Sequence, residues 1–359
     1  MKNELKRILS RLVKLETTSG HNPSIDQAYD FIAKELSWYP FIKTIYAKNS
    51  VKSVVWSTSK SKHTHVILNA HLDVVPARSS MYKLQVVGNN WIGRGVMDMK
   101  FAIAAYIVAL KHLYLEKGSL PSLAIMITSD EEVGGANGVG YLVNEIGYTG
   151  DIVLIPDGGS NWHVVKSAKG VLQLKVKATG KTSHASEPWG GDSAIDQMVA
   201  RIARLRTLYP TPSHQTEKTT VVIGTIKGGT QTNQVSSVAE ATLDIRYQAQ
   251  VNPTNVLKEI STIFGENNVE LIIQAEPFIA DLESPYVRAW IELIGPFQQG
   301  ELSIAEYGAS DGRYFSAKNM PVVVSQPIGG DTHGEGEYIN IGSVIDYTNI
   351  IIKWLKNIS

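Results

Sequence analysis

The chain has 359 residues, and its 34 lysines and arginines are balanced by 34 aspartates and glutamates. Such a length implies two domains, or one large domain with an insertion. Zero net charge with no Lys/Arg-rich stretch argues against nucleic-acid binding. The lack of cysteine excludes disulfides and thiolate metal sites, leaving His, Asp and Glu as the strong ligands.

At the N-terminus, Leu5, Ile8, Leu9, Leu12 and Leu15 recur at helical spacing with charges between them, which predicts an amphipathic packing helix rather than a signal peptide. No apolar run approaches the ~18 residues of a membrane span. No membrane association and a cytoplasmic location are therefore expected. Apolar runs at 66–70, 123–127 and 152–155 alternate with helical patterns at 101–114 and 138–143. This predicts an α/β fold with a mainly parallel, buried sheet between helices. Sites in such sheets form beyond the carboxyl ends of the strands, where His71, the Glu131 and Glu132 pair, and Asp157 all fall.

From about 169 the texture changes to alternating strands at 171–178, 221–226 and 240–246, with helices at 193–208 and 253–264. This is a βαββαβ-like section, a smaller α+β sheet with helices on one face. Beyond about 280 the α/β texture resumes, with a strand at 321–325 and a closing helix at 347–356. The expected division is 1–168 plus 280–359 as a catalytic, metal-binding domain, with 169–279 inserted into it.

Individually the polar motifs are ambiguous. His71-Leu-Asp73 has the i, i+2 spacing that puts both side chains on one side of an extended segment, where Asp73 could orient the histidine. Asp98 follows a glycine turn and alone would read as a helix cap. Of Glu131 and Glu132 only one needs to bind metal, which frees the other to act as a base. Asp157 could be an Asp-Gly turn, and His333 a surface loop histidine. Their joint order is what points to a metal site.

In that order, His71-Leu-Asp-Val-Val-Pro76, Gly93-Arg-Gly-Val-Met-Asp-Met-Lys100, Ser129-Asp-Glu-Glu-Val-Gly134, Gly180-Lys-Thr-Ser-His184, Gly308-Ala-Ser-Asp-Gly-Arg313 and His333-Gly-Glu-Gly-Glu337 resemble one family. It is the co-catalytic dizinc family of aminoacylase-1, acetylornithine deacetylase, succinyl-diaminopimelate desuccinylase, glutamate carboxypeptidase and the cytosolic dipeptidases. The resemblance implies a zinc-peptidase-like catalytic domain interrupted by a lid and dimerisation domain. It implies two zinc ions, with cobalt or manganese as substitutes, bridged by Asp98. His71 and Asp157 would complete one site, and Glu132 and His333 the other. Glu131 would be the general base, Asp73 the residue orienting His71, and His184 the lid donor to the developing oxyanion. Asn233, Arg246 and Arg313 resemble substrate contacts. The resemblance further implies a cis bond after Asp98 and a homodimer paired through the lid.

The chain departs from the family pattern in several places. Phe101 and Ala70 stand where glycines are usual, which would narrow the wall behind the metals. The stretch 77–87 lacks the usual Trp and Pro-Phe signature. Asp157, the shorter acid, is more typical of the peptidases. The expected activity is hydrolysis of a small peptide or N-acyl amino acid bearing a free carboxylate, in the manner of a carboxypeptidase or dipeptidase. A biosynthetic deacylase or desuccinylase is the alternative, favoured by Ser310-Asp-Gly-Arg313. A catalytically silent metal- or amino-acid-binding protein is the alternative of another class.

Overall fold

The computed structural model describes residues 1–298, 300–306, 308 and 310–358, so Ala309 of the 308–313 motif lies outside the described residues. The chain divides into two compact units. One comprises Met1–Lys166, Ala280–Glu306 and the chain from Ser310 onward, and the other is built from Ser167–Ile279.

The first unit is organised around a six-stranded sheet in the order Ile42–Lys48, Val51–Ser57, Leu123–Thr128, His63–His71, Thr149–Ile155, Val322–Val324. The last four run parallel, and an antiparallel hairpin closes one edge. The sheet is mixed and mainly parallel. All six residues of its central strand Leu123–Thr128 are buried, five of them apolar, as suits a parallel strand covered on both faces. Helix Lys100–Lys117 is buried around most of its circumference and packs against Lys2–Val13 and Ile341–Asn357. It ends at Gly118 in the left-handed conformation. Phe101 lies fully buried, its ring edge-on to Tyr347 at 5.8 Å between centroids. It thus packs against the closing helix.

Register decides where the polar ends fall. His71 pairs with Thr128, and Leu68 with Leu154, so three parallel strands finish at the same edge of the sheet. A second, four-stranded sheet has the order Gly329–Gly330, Tyr338–Asn340, Asn90–Ile92, Gln85–Val87. Ile92 pairs with Tyr338, so the loop after Ile92 and the loop between Gly330 and Tyr338 leave neighbouring strands.

The second unit carries an antiparallel sheet ordered Thr220–Gly228, Val238–Tyr247, Gly170–Thr179, Val269–Ala275. Helices Ala194–Leu208 and Pro253–Phe264 supply Met198, Leu205, Ile260 and Phe264 to a core with Leu172, Leu174, Leu243 and Ile245. Both helices begin at a side-chain cap, Ser193 accepting from the Asp196 N–H and Asn252 from the Thr254 N–H. Among the described residues no helix is long and apolar enough to cross a membrane.

Candidate metal centre

Five side chains from five chain segments converge in the first unit. His71 ends its strand, Glu132 follows the strand Leu123–Thr128, and Asp157 follows Thr149–Ile155. Asp98 comes from the loop after Ile92, and His333 from the loop before Tyr338. Two groups of donors result: His71, Asp98 and Asp157, and Asp98, Glu132 and His333, with ligand atoms in each within 4.8 Å of one another. Asp98 belongs to both. Its Oδ1 is 3.0 Å from His71 Nε2, and its Oδ2 is 3.1 Å from His333 Nε2. His333 Nε2 is also 3.2 Å from Glu132 Oε2. Asp98 does not cap the following helix, whose N-cap is Met99, and the Asp98–Met99 peptide is cis.

So many carboxylates in one place perturb each other. Burial, then the like charge of Asp98, pushes the Asp157 carboxyl up to about 8. Burial and Asp98 also raise Glu132. Glu131 is held well above the usual carboxylate range by burial first and Asp157 next. Asp98 behaves oppositely: burial would raise it, but hydrogen bonds from His333 and His71 outweigh that and hold it well below. An assembly of acids that cannot all ionise alone, with two imidazoles among them, fits divalent cations. Oxygen and imidazole donors suit zinc, cobalt or manganese.

Backbone-binding carboxylates surround these five. Asp73, fully buried, accepts the N–H groups of Glu131 at 3.2 Å and Glu132 at 3.1 Å, and the Ser19 hydroxyl at 2.8 Å. His71 Nδ1 bonds to the main-chain carbonyl of Asp73 at 3.0 Å, while the Asp73 carboxylate, at 3.6 Å, acts on it as a charge. Glu306 accepts the Gly159 N–H at 2.6 Å, just after Asp157. Asp130 accepts those of Asn137 and Gly138, closing the turn beyond Glu132. Glu337, also fully buried, accepts from Gly95, Met97 and Asp98 main-chain N–H groups and from Arg94. Sequence reasoning assigned no role to Glu337 or Glu306. For Glu337 the signal was its place at the end of the His333 motif.

Arg313 is buried: one Nη donates to Gly134 O at 2.7 Å, and the other lies 3.4 Å from Ser310 O. It thereby ties the 310–313 segment to the turn after Glu132. The remaining three named residues lie in the second unit. His184 is exposed, with Nδ1 2.7 Å from the Ser186 hydroxyl, and the Ala185 N–H donates to Asn233 O at 2.9 Å, so the loops carrying His184 and Asn233 adjoin. Arg246 forms a fork onto the carboxylate of Asp244, at 2.7 and 3.2 Å.

The chain is similar to known peptidases. A Paracoccidioides lutzii protein described as "probable carboxypeptidase" is 32% identical over 214 residues, covering 54% of this chain and 48% of that one. The chain thus spans about half the length of the first such relatives. A tripeptidase from Staphylococcus aureus superposes with a TM-score of 0.82 at 19% identity, covering 100% of this chain and 98% of that one. An M20 family metallo-carboxypeptidase from Sulfolobus solfataricus gives 0.80 at 16% identity, covering 100% and 99%. These two show a shared fold. Residues 67–357 match the profile of one family, and on that extent the chain belongs to peptidase family M20/M25/M40.

Proposed function

We propose that the protein is a two-metal hydrolase that cleaves the amide bond of a small peptide with a free carboxylate. The observation that carries this reading is the division of Asp98, one oxygen toward His71 and the other toward His333. One carboxylate can then serve both donor groups, with His71 and Asp157 on one side and Glu132 and His333 on the other. Bound divalent cations, zinc by expectation, would polarise the scissile carbonyl and acidify a water. Glu131 belongs to neither donor group, which leaves its carboxylate free to take a proton from the attacking water and pass it to the leaving amine nitrogen. Asp73 holds Glu131 and Glu132 in place through their main-chain N–H groups.

The peptide-cleaving form is favoured over the deacylase because Arg313, part of the deacylase-like motif, is committed to main-chain carbonyls. The relatives described as a carboxypeptidase and a tripeptidase point the same way. His184, Asn233 and Arg246 are assigned to the 169–279 insertion as substrate contacts, with His184 donating to the oxyanion. The insertion itself is assigned as a lid that closes over substrate and pairs two chains. The test is a panel of dipeptides, tripeptides and N-acyl amino acids assayed with the metal-loaded protein. Cleavage of peptides with a free carboxylate is the expected result. Hydrolysis of N-acyl amino acids alone would establish the deacylase, and no turnover of any kind the silent binder.

A further inference from the structure

His333 is the least supported of the five donors. Its side chain is 53% exposed, it sits in a glycine-rich loop, and its φ of 65° is rare for a residue with a side chain. Within that loop Asp331 makes the local bonds, its carbonyl accepting from Gly334 and its carboxylate from Gly336. From outside, Arg94 reaches in, one Nη donating to the carbonyl of His333 at 2.9 Å and to that of Gly334 at 3.2 Å. Its other Nη donates to Glu337 at 2.6 Å. Glu337 is saturated: Oε2 takes Arg94 and the Gly95 N–H, and Oε1 takes the N–H groups of Met97 and Asp98. One buried ion pair therefore joins the segment carrying Asp98 to the segment carrying His333, two residues otherwise 3.1 Å apart only at their side-chain tips.

We propose that Arg94 and Glu337 are a positioning pair that fixes His333 relative to Asp98, and so sets the cation affinity of the Asp98, Glu132 and His333 group. This inference rests on the two-metal reading above. The two partners act differently. Arg94 holds only the His333 loop, whereas Glu337 also fixes the main chain of Asp98, which both donor groups share. Loss of the Arg94 fork thus affects one cation, and loss of the Glu337 acceptors affects both. Partners one layer out from a metal ligand typically change affinity by roughly 10- to 100-fold.

The experiment titrates the metal-free full chain with Co²⁺, reading stoichiometry and affinity by equilibrium dialysis and ligand geometry from the visible absorption of cobalt. Thermal unfolding is followed in parallel. His333→Ala is the reference and is expected to lose one of two cations. Arg94→Lys keeps a cation against Glu337 but lacks the fork. It should weaken that same cation by about 10- to 100-fold, with an altered cobalt spectrum, and leave the other unchanged. Glu337→Gln should weaken both. If it fails to fold, Arg94→Lys decides. The proposal is overturned if Arg94→Lys binds both cations as the unmodified chain does while His333→Ala loses one. Equal weakening of both cations by Arg94→Lys, in step with a fall in thermal stability, also overturns it, since that is general loosening. Retention of both cations by His333→Ala removes the ligand reading itself, and the role of the pair with it.

Discussion

The carboxylate of Asp73 accepts the main-chain N–H of Glu132 at 3.1 Å, joining the end of one parallel strand to the turn beyond its neighbour. Its other oxygen accepts the N–H of Glu131. A residue two positions from His71 thus fixes the main chain of both glutamates of the Asp130-Glu131-Glu132 turn, to which the proposed mechanism gives different tasks.

That division is testable by paired substitutions. Glu131→Gln is expected to leave metal content nearly unchanged and to lower turnover by at least about 100-fold, because it removes proton transfer without removing a ligand. Glu132→Gln should lose metal. Metal analysis and steady-state rates on both variants check the assignment, and the reverse pattern would exchange the two roles.

Metal uptake should release protons. In the metal-free site the hydrogen bond to Asp98, and Glu132 beside it, push the His333 imidazole up to about 9. His71 is raised well above its ordinary value: burial works against this, but Asp73 and Asp98 outweigh it. An imidazole must be neutral to bind a cation, so at pH 7 each has a proton to lose. Affinity should therefore rise with pH through about 9, where His333 gives up its proton. Calorimetric titration in two buffers of different protonation enthalpy measures the protons released, and a count of zero at pH 7 would refute the expectation.

Phe101→Ala should destabilise the protein by about 3–5 kcal/mol, because it empties a fully buried aromatic site. Its ring packs on Tyr347, so the loss is expected in denaturant unfolding. A change below 1 kcal/mol, about the size of a surface substitution, would mean that the site collapses without cost.

Much of the centre was legible because chemistry and topology coincide there. His71, Glu131, Glu132 and Asp157 each stand just past an apolar run, and parallel strands in register bring those ends to one edge. What was not legible depends on pairing across distance. The strands at Asn90–Ile92 and Tyr338–Asn340 are three residues each and have no periodicity to read, yet they seat the loops of Asp98 and His333 side by side. The ion pair between Arg94 and Glu337 spans 243 positions, so nothing local announces it. The partners of the arginines were hidden for a related reason. A guanidinium fork suits a substrate carboxylate, but it suits Asp244 or the carbonyl of Gly134 equally well, and Arg246 and Arg313 take those partners.

The pairing of two chains through the insertion can be tested by complementation between Glu131→Gln and His184→Ala. In a mixed dimer of the proposed kind, the chain with its own base intact would borrow the other chain's His184. Random re-pairing of equal amounts should restore about a quarter of the sites, by counting dimers under twofold symmetry. Subunit exchange with no recovered activity would show that His184 does not act across an interface.

The number of zinc ions bound per chain before and after Asp98→Ala tests the shared-carboxylate centre most directly. Since Asp98 belongs to both donor groups, the unmodified chain should hold two ions and the variant should hold neither tightly, while Asp157→Ala retains one. A single ion in the unmodified chain, or two ions retained by Asp98→Ala, would contradict the shared-carboxylate centre.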